Sequence, residues 1–88
     1  MEDNQQKLIK VRFAEFVKSR REKLGLRQEE FAYRCGLHAV SISRIENGKT
    51  APTVDTVVKI AKGFNIDHMQ IFAAIINPFQ TELEQDND

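Results

Sequence analysis

The 88-residue sequence predicts an all-α domain of five short helices. Three observations carry that reading. Apolar residues recur at three- and four-residue intervals in five separate stretches. Turn formers at Gly25, Gly36, Asn47-Gly48, Gly63 with Asn65, and Asn77-Pro78 punctuate those stretches. No segment alternates apolar and polar residues as a half-buried strand does. The composition, 41% apolar and 30% charged, suits a globular chain of a size at which one core can support folding.

Taken in order, residues 1–6 have no apolar anchor and are expected to fray as a disordered N-terminus. A first helix is predicted from about Lys7 to Leu24. Ile9, Phe13, Phe16, Val17, Arg20 and Leu24 recur at helical spacing, with Lys10, Glu15, Lys18 and Glu22 between them. Gly25 supplies its stop.

Residues 28–49, QEEFAYRCGLHAVSISRIENGK, read as two short helices joined at Gly36. Glu29 and Glu30 lie in the first turn of helix 2, where the helix dipole favours them. Arg27 and His38 stand at the two N-cap positions and are unusual caps. Phe31, Ala32 and Cys35 form one inward face, and Ile42 and Ile45 another. Asn47-Gly48 ends helix 3. Two short helices around a glycine turn form a helix-turn-helix unit, whose second helix can enter the DNA major groove.

Pro52 and Thr53 open helix 4, with Thr53 as N-cap and Asp55 in the first turn. Val54, Val57, Val58, Ala61 and Phe64 are assigned its inward face, and Gly63 and Asn65 its end. Asp67 caps helix 5, and Gln70 completes a capping-box pattern. Ile71, Phe72, Ile75 and Ile76 give helix 5 an apolar face, and Pro78 is expected to terminate it. The folded domain is accordingly set at 7–78, and 79–88 is read as an acidic tail.

The net charge is zero but unevenly spread. Residues 1–50 carry eleven Lys/Arg and seven Asp/Glu, while residues 51–88 carry two Lys and six Asp/Glu. The basic half contains the helix-turn-helix unit, and a basic face is all that a small domain needs to meet phosphates. An unevenly charged solvated surface is the plain alternative. One cysteine allows neither an internal disulfide nor a zinc site. Cys35 reads as a small core residue, with a redox sensor the minor alternative. No apolar run is long enough to span a membrane, and the N-terminus lacks a signal peptide's apolar core, so a cytoplasmic protein without membrane association is expected. No catalytic grouping or cofactor motif stands out, so an enzyme is the weakest reading, and no cofactor or metal is expected.

The words RREKLGLRQEEFA (20–32), CGLHAVSISRIENGK (35–49) and APTVDTVVKIAKGFNI (51–66) resemble the Cro/lambda-repressor-type helix-turn-helix family, also called the xenobiotic-response-element (XRE) family. Gln28, Ala32, Gly36, Ile42, Ile45, Glu46, Asn47 and Gly48 match its pattern in register. The likeness covers roughly residues 13–76. It implies a compact five-helix lambda-repressor-like fold and a transcriptional regulator that binds palindromic operator DNA as a homodimer. Small phage repressors and restriction–modification controllers share this layout. An antitoxin or other protein-interaction module using the same motif for autoregulation is the alternative, with an unknown protein partner.

The resemblance also implies an ion pair between Arg21 and Glu46; two unrelated surface charges is the other reading. It places Gln28, with Arg27 adjacent, against one phosphate, and Asn47, Lys49 and Thr50 against the backbone on the other flank. Base reading is assigned to His38, Ala39, Val40, Ser43 and Arg44. Arg44 suits guanine O6 and N7, or alternatively a phosphate. Ala39 and Val40 suit a thymine methyl. His38 meets DNA or is simply a polar surface residue. The dimer interface is expected on helix 5 at Met69, Ile71, Phe72, Ile75, Ile76 and Phe79, unless all six lie in the monomer core.

Overall fold

The computed structural model describes the backbone of residues 4–86 and the side chains of residues 4–77. Five helices follow one another: α1 (Asn4–Lys23), α2 (Gln28–Cys35), α3 (Ala39–Glu46), α4 (Val54–Phe64) and α5 (His68–Asp86). α1 packs against α3 and α5, α2 against α3 and α4, and α4 against α5. None of the described helices is long and apolar enough to cross a membrane.

Four of the helices end in the same way. Leu26, Leu37, Lys49 and Ile66 each donate a backbone N–H to the carbonyl five residues back, at 3.2, 2.9, 3.0 and 3.0 Å. The residue just before each of them has a left-handed backbone: Gly25, Gly36 and Gly48 at φ of 69°, 72° and 72°, and Asn65 at 57°. This Schellman geometry satisfies carbonyls that the helix itself leaves without donors. It also turns the following residue inward: Leu26 is buried, and Leu37 and Ile66 pack against the core. At the other ends, Thr53 Oγ1 accepts from the Thr56 N–H (3.2 Å) and Asp67 Oδ1 from the Met69 N–H (2.8 Å).

The core draws on every helix: Phe13 and Val17 from α1, Phe31, Ala32 and Cys35 from α2, Ile42 and Ile45 from α3, Val57, Ile60, Ala61 and Phe64 from α4, and Ile71 and Ile75 from α5. Phe31 and Phe64 stack with centroids 4.1 Å apart, and Phe16 meets Phe64 edge-on at 6.2 Å.

Several sequence expectations need correction. α1 starts at Asn4 rather than near Lys7; once a helix is nucleated, adding residues such as glutamine costs little. α5 does not stop at Asn77-Pro78 but stays helical to Asp86, so the boundary set at 78 falls inside a helix. Proline removes one N–H yet holds a helical φ, and it biases the preceding residue without barring it from the helix. Val54 and Val58 are exposed, and Ile60 takes the inward position instead. Val58 is rotated about 100° from Val57, whereas 57, 60, 61 and 64 share one stripe. Leu24 is exposed too, beyond the packed part of α1. On α5, Ile71 and Ile75 are 0% and 3% exposed, so they fill the monomer core and cannot supply area to a second copy. The side chain of Phe79 lies outside the described residues.

Gly63 is a further correction. It does not break α4 but sits inside it, buried against α2. A Cβ there would collide with Cys35 Sγ and lie 2.9 Å from Phe31 Cε1. The missing side chain is what lets α2 and α4 approach. Burial pushes the Cys35 thiol up to about 12, only partly offset by its hydrogen bond with the Gly63 backbone.

Two outcomes follow from this packing. Gly63→Ala gains about 1 kcal/mol of helix propensity but overpacks a closed contact at a cost of about 1–3 kcal/mol, and with two neighbours in the way the cost wins. Urea denaturation should therefore show a less stable protein, not the more stable one that propensity alone predicts. Alkylation of Cys35 at pH 8 should be slow in the folded chain and reach the rate of a free thiol only in denaturant, because the reactive thiolate is scarce and enclosed.

Candidate nucleic-acid interface

α2 and α3 are separated by only Gly36, Leu37 and His38. Arg27, at the N-cap of α2, has no side-chain acceptor to offer the first turn. Half of a capping box is present instead: Glu30 Oε1 accepts from the Arg27 N–H at 3.0 Å. At the far end, Leu37 N–H donates to Ala32 O and Gly36 N–H to Tyr33 O, and the left-handed Gly36 swings the chain into α3. His38 precedes α3 in an extended conformation and caps it through its backbone carbonyl, which accepts from the Ser41 N–H at 2.9 Å.

A single carboxylate ties this unit to the rest of the domain. Glu46, the last residue of α3, faces Arg21 of α1 in a two-pronged pair: Arg21 Nε donates to Oε2 at 2.6 Å and Nη2 to Oε1 at 2.9 Å. Gln28 Nε2, at the start of α2, donates to the same Oε1 at 3.0 Å. Arg21 Nη1 reaches the Leu26 carbonyl at 2.6 Å. The side chains of Arg21 and Glu46 are only 12% and 4% exposed, so this pair is withdrawn from solvent, unlike a surface salt bridge. The hydrogen bonds to Glu46 hold the Arg21 guanidinium above its ordinary pKa, against the opposing effect of burial. Three helices thus meet at one acid, and the tilt of α3 follows from that junction.

Around the junction, the five residues assigned to base reading divide. His38, Val40 and Arg44 are exposed, with Val40 at 69%. Val40 and Arg44 are one turn apart and share a face. Ser43 is half-buried, with its hydroxyl 3.4 Å from Asn47 Nδ2. Ala39 is half-buried, its methyl against the core, because it follows the cap directly and lies one turn before Ile42.

The flanking residues divide as well. Gln28 gives one amide N–H to Glu46 and retains a second. Asn47 Nδ2 donates to the Ser43 carbonyl at 2.9 Å, so its side chain caps its own helix. Arg27 and Lys49 are exposed and Thr50 is half-buried. Tyr33, 89% exposed, and Arg34 stand on the outer side of α2. Among the described residues, no group of three or more His, Cys, Asp and Glu is placed to hold a metal.

The sequence reading did not find the Gln28–Glu46 link or the role of the Leu26 carbonyl. A signal for Leu26 existed, since an apolar residue just after a helix-ending glycine is the one that packs back. Nothing in the sequence marked Gln28 as facing Glu46 rather than solvent.

Glu46→Ala strands a buried guanidinium, so a loss of about 3–5 kcal/mol in unfolding free energy is expected by chemical denaturation. Glu46→Gln keeps an acceptor for Gln28 and should lose less. If Glu46→Ala melted with the native chain, the carboxylate would not be holding the helices together.

With this geometry in view, likenesses to known proteins are informative. Residues 17–71, from within α1 to the first turn of α5, match the family model described as HTH_3: Helix-turn-helix. The chain is 38% identical over 68 residues to the control protein C.MunI of Mycoplasma sp, across 76% of this chain and 92% of that protein. It is 38% identical over 56 residues to an uncharacterised HTH-type transcriptional regulator, y4dJ, of Sinorhizobium fredii, across 64% and 71% of the two chains. Among solved structures, the restriction–modification controller protein C.Esp1396I, a tetramer in complex with its natural 35 base-pair operator, superposes with a TM-score of 0.65 at 30% identity, across 86% of this chain and 95% of that one. Because the family match spans α2, its turn and the whole of α3, the chain belongs to the helix-turn-helix (HTH_3, XRE-type) family.

Proposed function

We propose that this protein is a sequence-specific DNA-binding regulator of transcription that acts in the cytoplasm, with no catalytic activity of its own, and presents α3 to the major groove of a palindromic operator. One observation carries the reading: the exposed edge of α3, with Val40 and Arg44 one turn apart, is held at a fixed tilt by the Arg21–Glu46–Gln28 junction. The likeness to C.Esp1396I, solved on its operator, and to C.MunI over nearly its whole length supports a controller-type regulator. The domain that binds is the five-helix body from Asn4 to Asp86, with acidic residues in the last turns of α5.

Arg44 reads guanine, and Val40 meets a thymine methyl beside it. His38 and Ser43 contribute at the edges of this face. Phosphates are met on one side by Arg27, the backbone N–H groups at the start of α2 and the remaining amide N–H of Gln28, and on the other by Lys49 and Thr50 beside the capped Asn47. With so few polar readers, the deformability of the DNA supplies part of the selectivity.

The operator is bound by two copies. Met69 and Ile76 are 60% and 47% exposed on α5, and Phe72 between them is half-buried. They lie three and four residues apart, as an apolar seam for a second helix requires. Phe79 continues that spacing in the sequence. Regulation then follows from concentration, because dimer formation and DNA binding are coupled.

Selection of bound DNA from a random pool tests the reading. An enriched inverted repeat is expected, and no enrichment even at low salt would overturn it. Within the selected site, Arg44→Ala should cost about 1–3 kcal/mol and relax preference at one position per half-site. Lys49→Ala should instead weaken all sites about equally and reduce the salt slope by about 1.

A further inference from the structure

Gln28 stands between two parts of the proposed interface. Its Nε2 donates to Glu46 Oε1 at 3.0 Å, across 18 positions of sequence, and so ties the start of α2 to the end of α3. A carboxylate only accepts, so the chemistry of Glu46 fixes which way round the Gln28 amide lies. Both amide N–H groups are then on the nitrogen beside Glu46, and one of them is used there. The residue is half-buried, with part of its surface open to solvent.

The surroundings say what the second N–H can meet. Gln28 is the first residue of α2, where backbone N–H groups have no partner within the helix. The Arg27 N–H is taken by Glu30 Oε1 at 3.0 Å, which leaves those of Gln28, Glu29 and Glu30 to face a phosphate. Ala39, in the first turn of α3, has no polar side-chain group to offer α2. The two helices are bonded instead at the far end of α3, two residues beyond Arg44.

Glu46 does not need Gln28 to stay in place. Arg21 grips both carboxylate oxygens, at 2.6 and 2.9 Å, and a forked guanidinium pair is the stronger bond. Arg21 belongs to α1, however, which carries none of the phosphate contacts proposed above. Gln28 connects Glu46 to the helix that does carry them.

We propose that Gln28 is a positioning residue that relays the phosphate contact at the start of α2 to the base-reading edge of α3. The inference rests on the DNA-binding reading above and deepens it. With DNA bound, the Gln28 amide nitrogen sits between two anions, the Glu46 carboxylate and a phosphate, and donates one N–H to each. Neither anion can act as a donor, so the arrangement has one orientation. α3 is then set relative to the DNA backbone itself, and Arg44 reaches its base edge when the phosphate is in register. A phosphate contact alone carries no sequence information. Through Glu46, Gln28 raises selectivity without touching a base.

Titration of the full chain with the operator recovered from the random pool, and with a scrambled duplex at the same salt, tests this. Gln28→Ala should weaken operator binding about tenfold more than scrambled binding. Arg44→Ala should cost operator binding about tenfold in the native chain but only about twofold in Gln28→Ala, because the arginine is already misplaced there. Lys49→Ala, on the other flank, is the control, and its loss should multiply with that of Arg44→Ala. Gln28→Met removes both amide N–H groups, keeps the length of the side chain and should behave as Gln28→Ala does. Both variants should melt close to the native chain, because Arg21 still holds Glu46. If they weaken operator and scrambled DNA by the same factor, or multiply with Arg44→Ala, Gln28 is a plain phosphate contact. The relay is then overturned while the regulator reading stands. Unchanged operator binding in both variants overturns it too, and so does melting as low as that of Glu46→Ala. A random pool that yields no operator overturns the relay and the reading together.

Discussion

The carboxylate of Glu46 is the point on which this small fold turns. It closes α3, and its two oxygens accept three hydrogen bonds, two from Arg21 of α1 and one from Gln28 at the head of α2. A pair this enclosed adds little net stability over a well-packed apolar contact. What it adds is direction. Apolar packing between short helices tolerates sliding and rotation, whereas a forked guanidinium accepts a carboxylate in one plane. α3 has only eight residues and buries two isoleucines, so its angle is weakly specified by packing alone. The junction supplies the specification that a helix offered to a DNA groove needs.

Around that junction the chain economises on length. Four helices end in left-handed residues that reverse the backbone in one step and deliver the next residue to the core or the surface. Between α2 and α4 the economy is in volume. Gly63 has no side chain to hold Cys35 and Phe31 away, so the Phe31–Phe64 stack can close. The thiol is enclosed by the same contact, which is why Cys35 behaves as a packing residue rather than a reactive one.

The two exposed surfaces serve different ends. α3 presents a narrow exposed edge in which Arg44 and Val40 dominate. α5 presents Met69 and Ile76 while Ile71 and Ile75 face inward. A helix whose apolar residues exceed one face must leave some of them for another molecule. The zero net charge, which at first argues against a nucleic-acid partner, is the sum of a basic first half and an acidic second half of the chain.

The sequence by itself determined the helix order, the turns and the DNA-facing motif, because these depend on local chemistry. A left-handed glycine, a threonine cap or a three-to-four spacing of Phe31, Ala32 and Cys35 acts within one or two turns, and so is legible in order along the chain. Its errors fell where neighbours decide. Val58 and Ile60 are equally apolar, and only the position of α2 and α5 around α4 tells which is buried. Gly63 looked like a stop because its use, making room for Cys35, depends on a residue twenty-eight positions away. Pro78 looked like an end because its local cost is visible and the continuity of the helix is not. Gln28 was readable as a DNA contact by family pattern, but its bond to Glu46 required α2 and α3 to be in place. Tertiary structure alone decided which apolar residues were left outside and how three helices share one carboxylate, since both depend on atoms brought together from distant parts of the chain.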